Sequence, residues 1–149
     1  MDFTNPIDDL GWIYGLWKGI LSQNGIEVKS YISAKNIGKD IIELKQVRTS
    51  NDKEELVSRN FLFFDKTKEQ IKLVSFNSEG YIETSNMILK SKKKLAYLTG
   101  KFESGYNLPP NMNIIKEIIY QQNPKQLEIL VKMGSNEEIV SQGTYSFSK

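Results

Sequence analysis

The chain is 149 residues long, 39% hydrophobic and 26% charged, which suits one soluble globular domain spanning residues 1–149 around a single core. It has no cysteine and no histidine, which excludes disulfides, thiolate nucleophiles, zinc fingers, iron–sulfur ligation and Ser-His-Asp or Cys-His catalysis. Twenty basic against eighteen acidic residues leave a formal charge of +2, and only Arg48 and Arg59 are arginines; the lysines are scattered, so no nucleic-acid partner is expected.

At the amino terminus, Met1-Asp2-Phe3-Thr4-Asn5 lacks the basic and apolar regions of a signal peptide. No apolar run approaches the length of a membrane span. A cytoplasmic protein with no membrane insertion is expected. A short helix follows: Asn5 can cap it, Pro6 fits its first position, and Asp8 and Asp9 suit the positive end of its dipole. It must end by about Gly15.

From there the hydrophobic period is two, with turn residues every eight to twelve positions. Ten strands are predicted: Leu16–Ser22, Ile26–Ala34, Asp40–Thr49, Glu55–Asp65, Gln70–Phe76, Tyr81–Lys90, Lys94–Lys101, Asn113–Gln122, Gln126–Met133 and Ile139–Phe147. Asn24-Gly25, Asn36-Ile37-Gly38, Asp65-Lys66-Thr67-Lys68, Ser78-Glu79-Gly80, Asn123-Pro124 and Gly134-Ser135-Asn136 supply the turns. Lys92-Lys93-Lys94 reads as a solvated turn. The stretch from Phe102 to Asn113, with Gly105, Pro109 and Pro110, is the longest predicted break, of the kind that rims an entrance or meets a partner. No helical pattern separates the strands, so a parallel sheet is not expected. A meander of this length closes into a barrel or leaves long exposed edges, and closure is favoured. The expected fold is therefore all-β: one ten-stranded antiparallel up-and-down barrel with a short N-terminal helix. Barrels of that size often hold a ligand.

The most informative stretch runs from Leu10 to Gly19. Gly15 allows a tight backbone turn, Trp17 can plug one barrel end, and Gly19 permits close approach of a neighbouring strand. The Gly15-x-Trp17 pair at the head of a ten-strand meander resembles the calycin superfamily of lipocalins and fatty-acid-binding proteins. The longer pattern Pro6-x-x-x-Leu10-x-x-x-x-Gly15-x-Trp17-x-Gly19 is most similar to nitrobindin and related lipocalin-like families. The resemblance implies a ten-stranded barrel without the helix-turn-helix lid of fatty-acid-binding proteins. It also implies chemistries this chain lacks the residues for. Nitrobindins continue with a further glycine where Leu21 stands, and hold haem through a histidine near the last strand, where 139–149 has none. Fatty-acid-binding proteins grip a carboxylate with Arg-x-Tyr, whereas Tyr145 follows Gly143 and Thr144.

Six residues are the sequence's candidates for ligand contact: Trp17, Arg48, Arg59, Tyr97, Tyr120 and Tyr145. The arginines are the best cations for an anionic head group, since guanidinium binds carboxylate bidentately and stays charged when partly buried. Arg48 shares parity with Ile42, Leu44 and Gln46, which favours the interior; Arg59 sits in a strand whose two faces are both apolar. The tyrosines would offer polar points in an apolar cavity. Trp17 reads first as a barrel-bottom plug, and Trp12 as packing near the base. Glu43, Glu83 and Glu117 lie in strands with facing that parity leaves open, and no catalytic pair or metal site is singled out.

The leading expectation is therefore a binding protein, rather than an enzyme, for a small hydrophobic or amphiphilic molecule inside the barrel, as a monomer or homodimer and with no cofactor. The alternatives are a nitrobindin-like haem or haem-free isomerase and a filled barrel that serves as an interaction scaffold. A haem is disfavoured by the missing histidine.

Overall fold

Hairpin chemistry lays out the chain. Asn24 and Gly25 take φ of 52° and 76°, and Asn51 and Asp52 take 52° and 63°, the paired positive values whose twist matches flanking antiparallel strands. The computed structural model describes residues 6–92, 95–109 and 112–149. Residues 1–5, with the expected cap Asn5, lie outside the described residues, as do Lys93, Lys94, Pro110 and Asn111.

The strands are β1 (Gly15–Gln23), β2 (Ile26–Gly38), β3 (Ile41–Ser50), β4 (Lys53–Asp65), β5 (Gln70–Asn77), β6 (Ile82–Lys92), β7 (Leu95–Tyr106), β8 (Ile114–Gln121), β9 (Gln126–Met133) and β10 (Glu138–Phe147). Each pairs antiparallel with its sequence neighbours, and β10 pairs with β1 to close a ten-stranded barrel. Closure leaves no edge exposed, which is the physical reason a meander of this length ends as a barrel.

Two turn expectations are corrected. Asn36-Ile37-Gly38 is not a turn: β2 runs through it with a register shift between Asn36 and Gly38, and Asp40 at φ 66° supplies the reversal. The break expected at 102–113 is shorter, because β7 continues to Tyr106. A bulge opposite Thr84 and Ser85 absorbs the extra residue and keeps the pairing alive.

The predicted helix is a 3-10 helix, Pro6–Ile13. Ile7, Leu10 and Ile13 recur every three residues, a spacing that stacks them on one face of a three-residue turn, and all three are buried. The helix caps one barrel end. Among the described residues no helix is long and apolar enough to cross a membrane.

The core gathers at that capped end. Trp17, Ile42, Leu62, Leu98 and Leu127 are fully buried there. Trp17 donates its indole N–H to the Ile13 carbonyl at 2.9 Å, pinning helix to barrel. Its ring meets Phe147 edge-on at 5.3 Å and Tyr120 at 6.4 Å, while Trp12 stacks on Tyr120 at 5.2 Å. Gly15 takes φ 128°, a conformation strained for any side chain.

Candidate functional site: an amphipathic barrel cavity

Above the aromatic floor the interior is hollow. A cavity of about 490 Å³ opens at the end opposite the helix, between the turns at Asn24 and at Ser78-Glu79 and the β9–β10 ends. That volume lies within the range of small-molecule sites. Its walls differ by strand. Ile118, Ile129, Val131, Met133 and Val140 give β8–β10 an apolar stretch beside Lys116 and Ser141, whereas Gln46, Ser58, Asn60 and Ser75 put hydroxyl and amide groups among Leu44, Val57 and Leu73 on β3–β5.

The polar wall is an ordered chain of hydrogen bonds. Ser75 Oγ donates to Asn60 Oδ1 at 2.6 Å, and Asn60 Nδ2 donates to Ser58 Oγ at 2.9 Å and to the Leu44 carbonyl at 3.2 Å. Ser58 Oγ donates to Gln46 Oε1 at 3.4 Å, and Gln46 Nε2 donates to the Tyr145 hydroxyl at 2.8 Å. Ser30 Oγ donates to the Val47 carbonyl at 2.7 Å, so the 2.9 Å contact between Tyr145 and Ser30 has Tyr145 as donor. From Ser75 to Ser30 each group thus donates to the next, and the chain ends on a backbone carbonyl. Such a chain strengthens cooperatively in a low-dielectric interior and fixes each rotamer.

Register and glycine build this belt. Gln46 stands directly opposite Ser58, and Asn60 opposite Ser75. Tyr145 on β10 is separated from Ser30 on β2 by Gly19 alone, which pairs with both. With no side chain at Gly19, the phenol crosses β1 to reach Ser30. A Cβ at Gly19 would stand 1.8 Å from the Thr144 carbonyl oxygen, so the two strands require glycine there, as the sequence suggested. Gly143 leaves the space over which the Tyr145 ring lies: a Cβ there would meet the ring at 2.4 Å. Burial pushes the Tyr145 phenol above its ordinary 10.0, against the opposing effect of its bonds to Ser30 and Gln46.

The basic residues that line the cavity each meet an acid. Lys116 and Glu83, both on inner faces, form an ion pair across β7, where Gly100 stands beside Lys116 in register. Arg48 at the mouth holds Glu55 at 3.1 Å. One interior polar atom, Ser85 Oγ, has no hydrogen-bond partner among the described residues.

The six sequence candidates separate. Tyr145 lies in the interior belt, and Arg48 lines the mouth. Trp17 and Tyr120 lie in the aromatic floor, below the cavity-lining residues. Arg59 and Tyr97 leave the interior set. On β4 the inward residues are Ser58, Asn60 and Leu62, so Arg59 faces outward, 3.8 Å from Glu43. On β7 Leu98 is the buried neighbour, and Tyr97 takes the outer face. Of the carboxylates left open by parity, Glu83 faces in, whereas Glu43 and Glu117 face out to Arg59 and Lys132. Sequence reading missed Ser30, Ser58, Asn60, Ser75 and Lys116. Their signal was faint: polar residues at every second position in strands whose other inward positions are apolar.

Compared with known families, the chain matches no family model, and no curated protein matches it in sequence. Among solved structures it is similar to the crystal structure of Rv2717c from M. tuberculosis. The match has a TM-score of 0.74 and 13% identity, over 99% of this chain and all of that one. At that identity the likeness is one of fold, and with the closed ten-stranded barrel it fits a calycin-like architecture.

Proposed function

We propose that the protein binds a small amphiphilic molecule in the barrel cavity, with the apolar part against β8–β10 and the polar part toward the hydrogen-bonded belt. The observation that supports this reading is the cavity itself: about 490 Å³, open at one end, with an apolar stretch on β8–β10 and a run of hydroxyl and amide groups on β3–β5. A barrel serving only as a filled scaffold has no need of an ordered polar belt facing hollow space, since buried polar groups without a task are more cheaply replaced by apolar ones.

A haem, which the nitrobindin-like N-terminal pattern would suggest, does not fit the donor set. The chain has no histidine or cysteine. The interior Tyr145 hydroxyl is engaged by Ser30 and Gln46 and held protonated by burial, and Lys116 is tied to Glu83. Methionine thioethers remain, and these serve haem iron beside a stronger ligand. The reading is therefore of ligand binding without a metal.

Native mass spectrometry of gently purified protein, followed by organic extraction, tests the proposal. A co-purifying small molecule, or saturable one-to-one binding of an uncharged fluorescent amphiphile, is expected. Val131→Trp, which fills the cavity from its apolar wall, should abolish that binding while the barrel still folds. Absence of both an extracted molecule and probe binding would defeat the reading.

A further inference from the structure

We infer that the cavity selects an uncharged amphiphile, such as an alcohol or amide with a medium-length apolar chain, and discriminates against carboxylates. This rests on the proposed binding function and narrows it to a ligand class. A carboxylate needs an available cation, because transfer of an unpaired ion into a site of low dielectric is opposed by the loss of its hydration. Among the described residues the enclosed part of the cavity offers none. Its one cation, Lys116, is held by Glu83, while Arg48 sits at the solvent-exposed mouth and gives its Nε–H to Glu55. Arg59, the other arginine, lies outside the barrel beside Glu43. Of the charged residues lining the cavity, the one with no ion pair among the described residues is the acid Glu79.

The approach to the cavity carries the same sign. The described connections at the open end, 24–25, 51–52, 78–81, 107–109, 112–113 and 134–137, contain Asp52, Glu79 and Glu137 and no lysine or arginine. Such a rim repels an anion before it arrives. A cation fares no better deeper in, since the inward carboxylate Glu83 is already paired. What remains for a ligand is the belt. Once Ser75, Asn60, Ser58 and Gln46 have bonded to one another, their remaining lone pairs and the second Nε2 hydrogen of Gln46 suit a neutral group that both donates and accepts.

The test is competition against 1-aminoanthracene, an uncharged aromatic amine at pH 7, with four ligands of one chain length: decanol, decanamide, decanoate and decylammonium. Decanol and decanamide should displace the probe at concentrations about tenfold or more below those for either ion, the ratio an unpaired buried charge commands. Glu83→Gln removes the counter-charge from Lys116 and should improve competition by decanoate by about tenfold. This is a gain that a damaged fold would not produce. Should that variant fail to fold, Glu55→Gln frees Arg48 at the mouth and carries the same expectation. Decanoate or decylammonium competing as well as the neutral pair, or no gain for decanoate in the folded variant, would overturn the inference and leave cavity binding intact. Failure of 1-aminoanthracene to bind, with no neutral ligand binding either by calorimetry, would overturn the binding function and the inference together.

Discussion

The two ends of the barrel are built from different chemistry. At the capped end Trp17, Trp12, Tyr120 and Phe147 interlock. Lys125 sits 3.7 Å over the Phe147 ring, and the described connections carry Lys39, Lys66, Lys68 and Lys125 against Asp40 and Glu69. The open end has an acidic rim, an inward ion pair and hydroxyl and amide groups in its wall. Apolar close packing stabilises without direction, whereas a polar wall holds its shape only while each group keeps its partner. On the proposed function, one end supplies stability and the other recognition. Tyr145 stands between them, with its backbone beside Leu127 and Gly19 and its hydroxyl in the belt.

Under that division, substitutions should lose stability in order from floor to mouth. Trp17→Ala removes the largest buried side chain and the bond to Ile13, and should cost about 3–5 kcal/mol in urea denaturation. Gly143→Ala drives a methyl into the Tyr145 ring and should cost about 1–3 kcal/mol, with loss of probe binding. Tyr145→Phe leaves Gln46 Nε2 without its acceptor and Ser30 without its donor, at about 1–3 kcal/mol. Ser75→Ala removes a single hydrogen bond, the one to Asn60 Oδ1 at the start of the belt, and should cost about 1 kcal/mol while weakening binding of a neutral ligand. A Ser75→Ala cost equal to that of Trp17→Ala would erase the distinction between the ends.

Alkali gives a finer measurement. The pKa of Tyr145 is raised in the folded state, so its neutral form contributes stability fully present below the unfolded value of 10.0 and lost as pH rises through the folded value. Tyr31 is raised in the same direction, by partial burial and by its bond to Glu54, but lies near the surface. Unfolding free energy should therefore fall above about pH 10, and Tyr145→Phe should flatten that fall more than Tyr31→Phe. Equal effects from the two would place the buried phenol in a wetter setting than the belt provides.

How much of this was legible in the sequence varies with the range of the interaction. Strand positions followed from period-two alternation and from Asn24-Gly25. Errors arose where a bulge kept pairing alive through residues that look like a break, as at Asn36–Gly38 and Phe102–Gly105. The Gly15-x-Trp17-x-Gly19 pattern pointed to a turn, a plug and a close approach, each of which the structure contains. Arg59 and Tyr97 were misleading as interior candidates because inward parity in β4 and β7 depends on neighbours far along the chain.

Alone, the sequence determined that the chain is all-β, that it closes, which end carries the aromatic plug, and that thiol and imidazole chemistry are absent. These are consequences of residue type and short-range spacing. Only the tertiary structure decided that Tyr145 meets Ser30 and Gln46, 115 and 99 positions away, that Lys116 is neutralised by Glu83, and that the interior is hollow above its floor. Hydrogen-bond partners and cavity volume depend on which strands become neighbours when the barrel closes, and spacing along one strand carries no record of them.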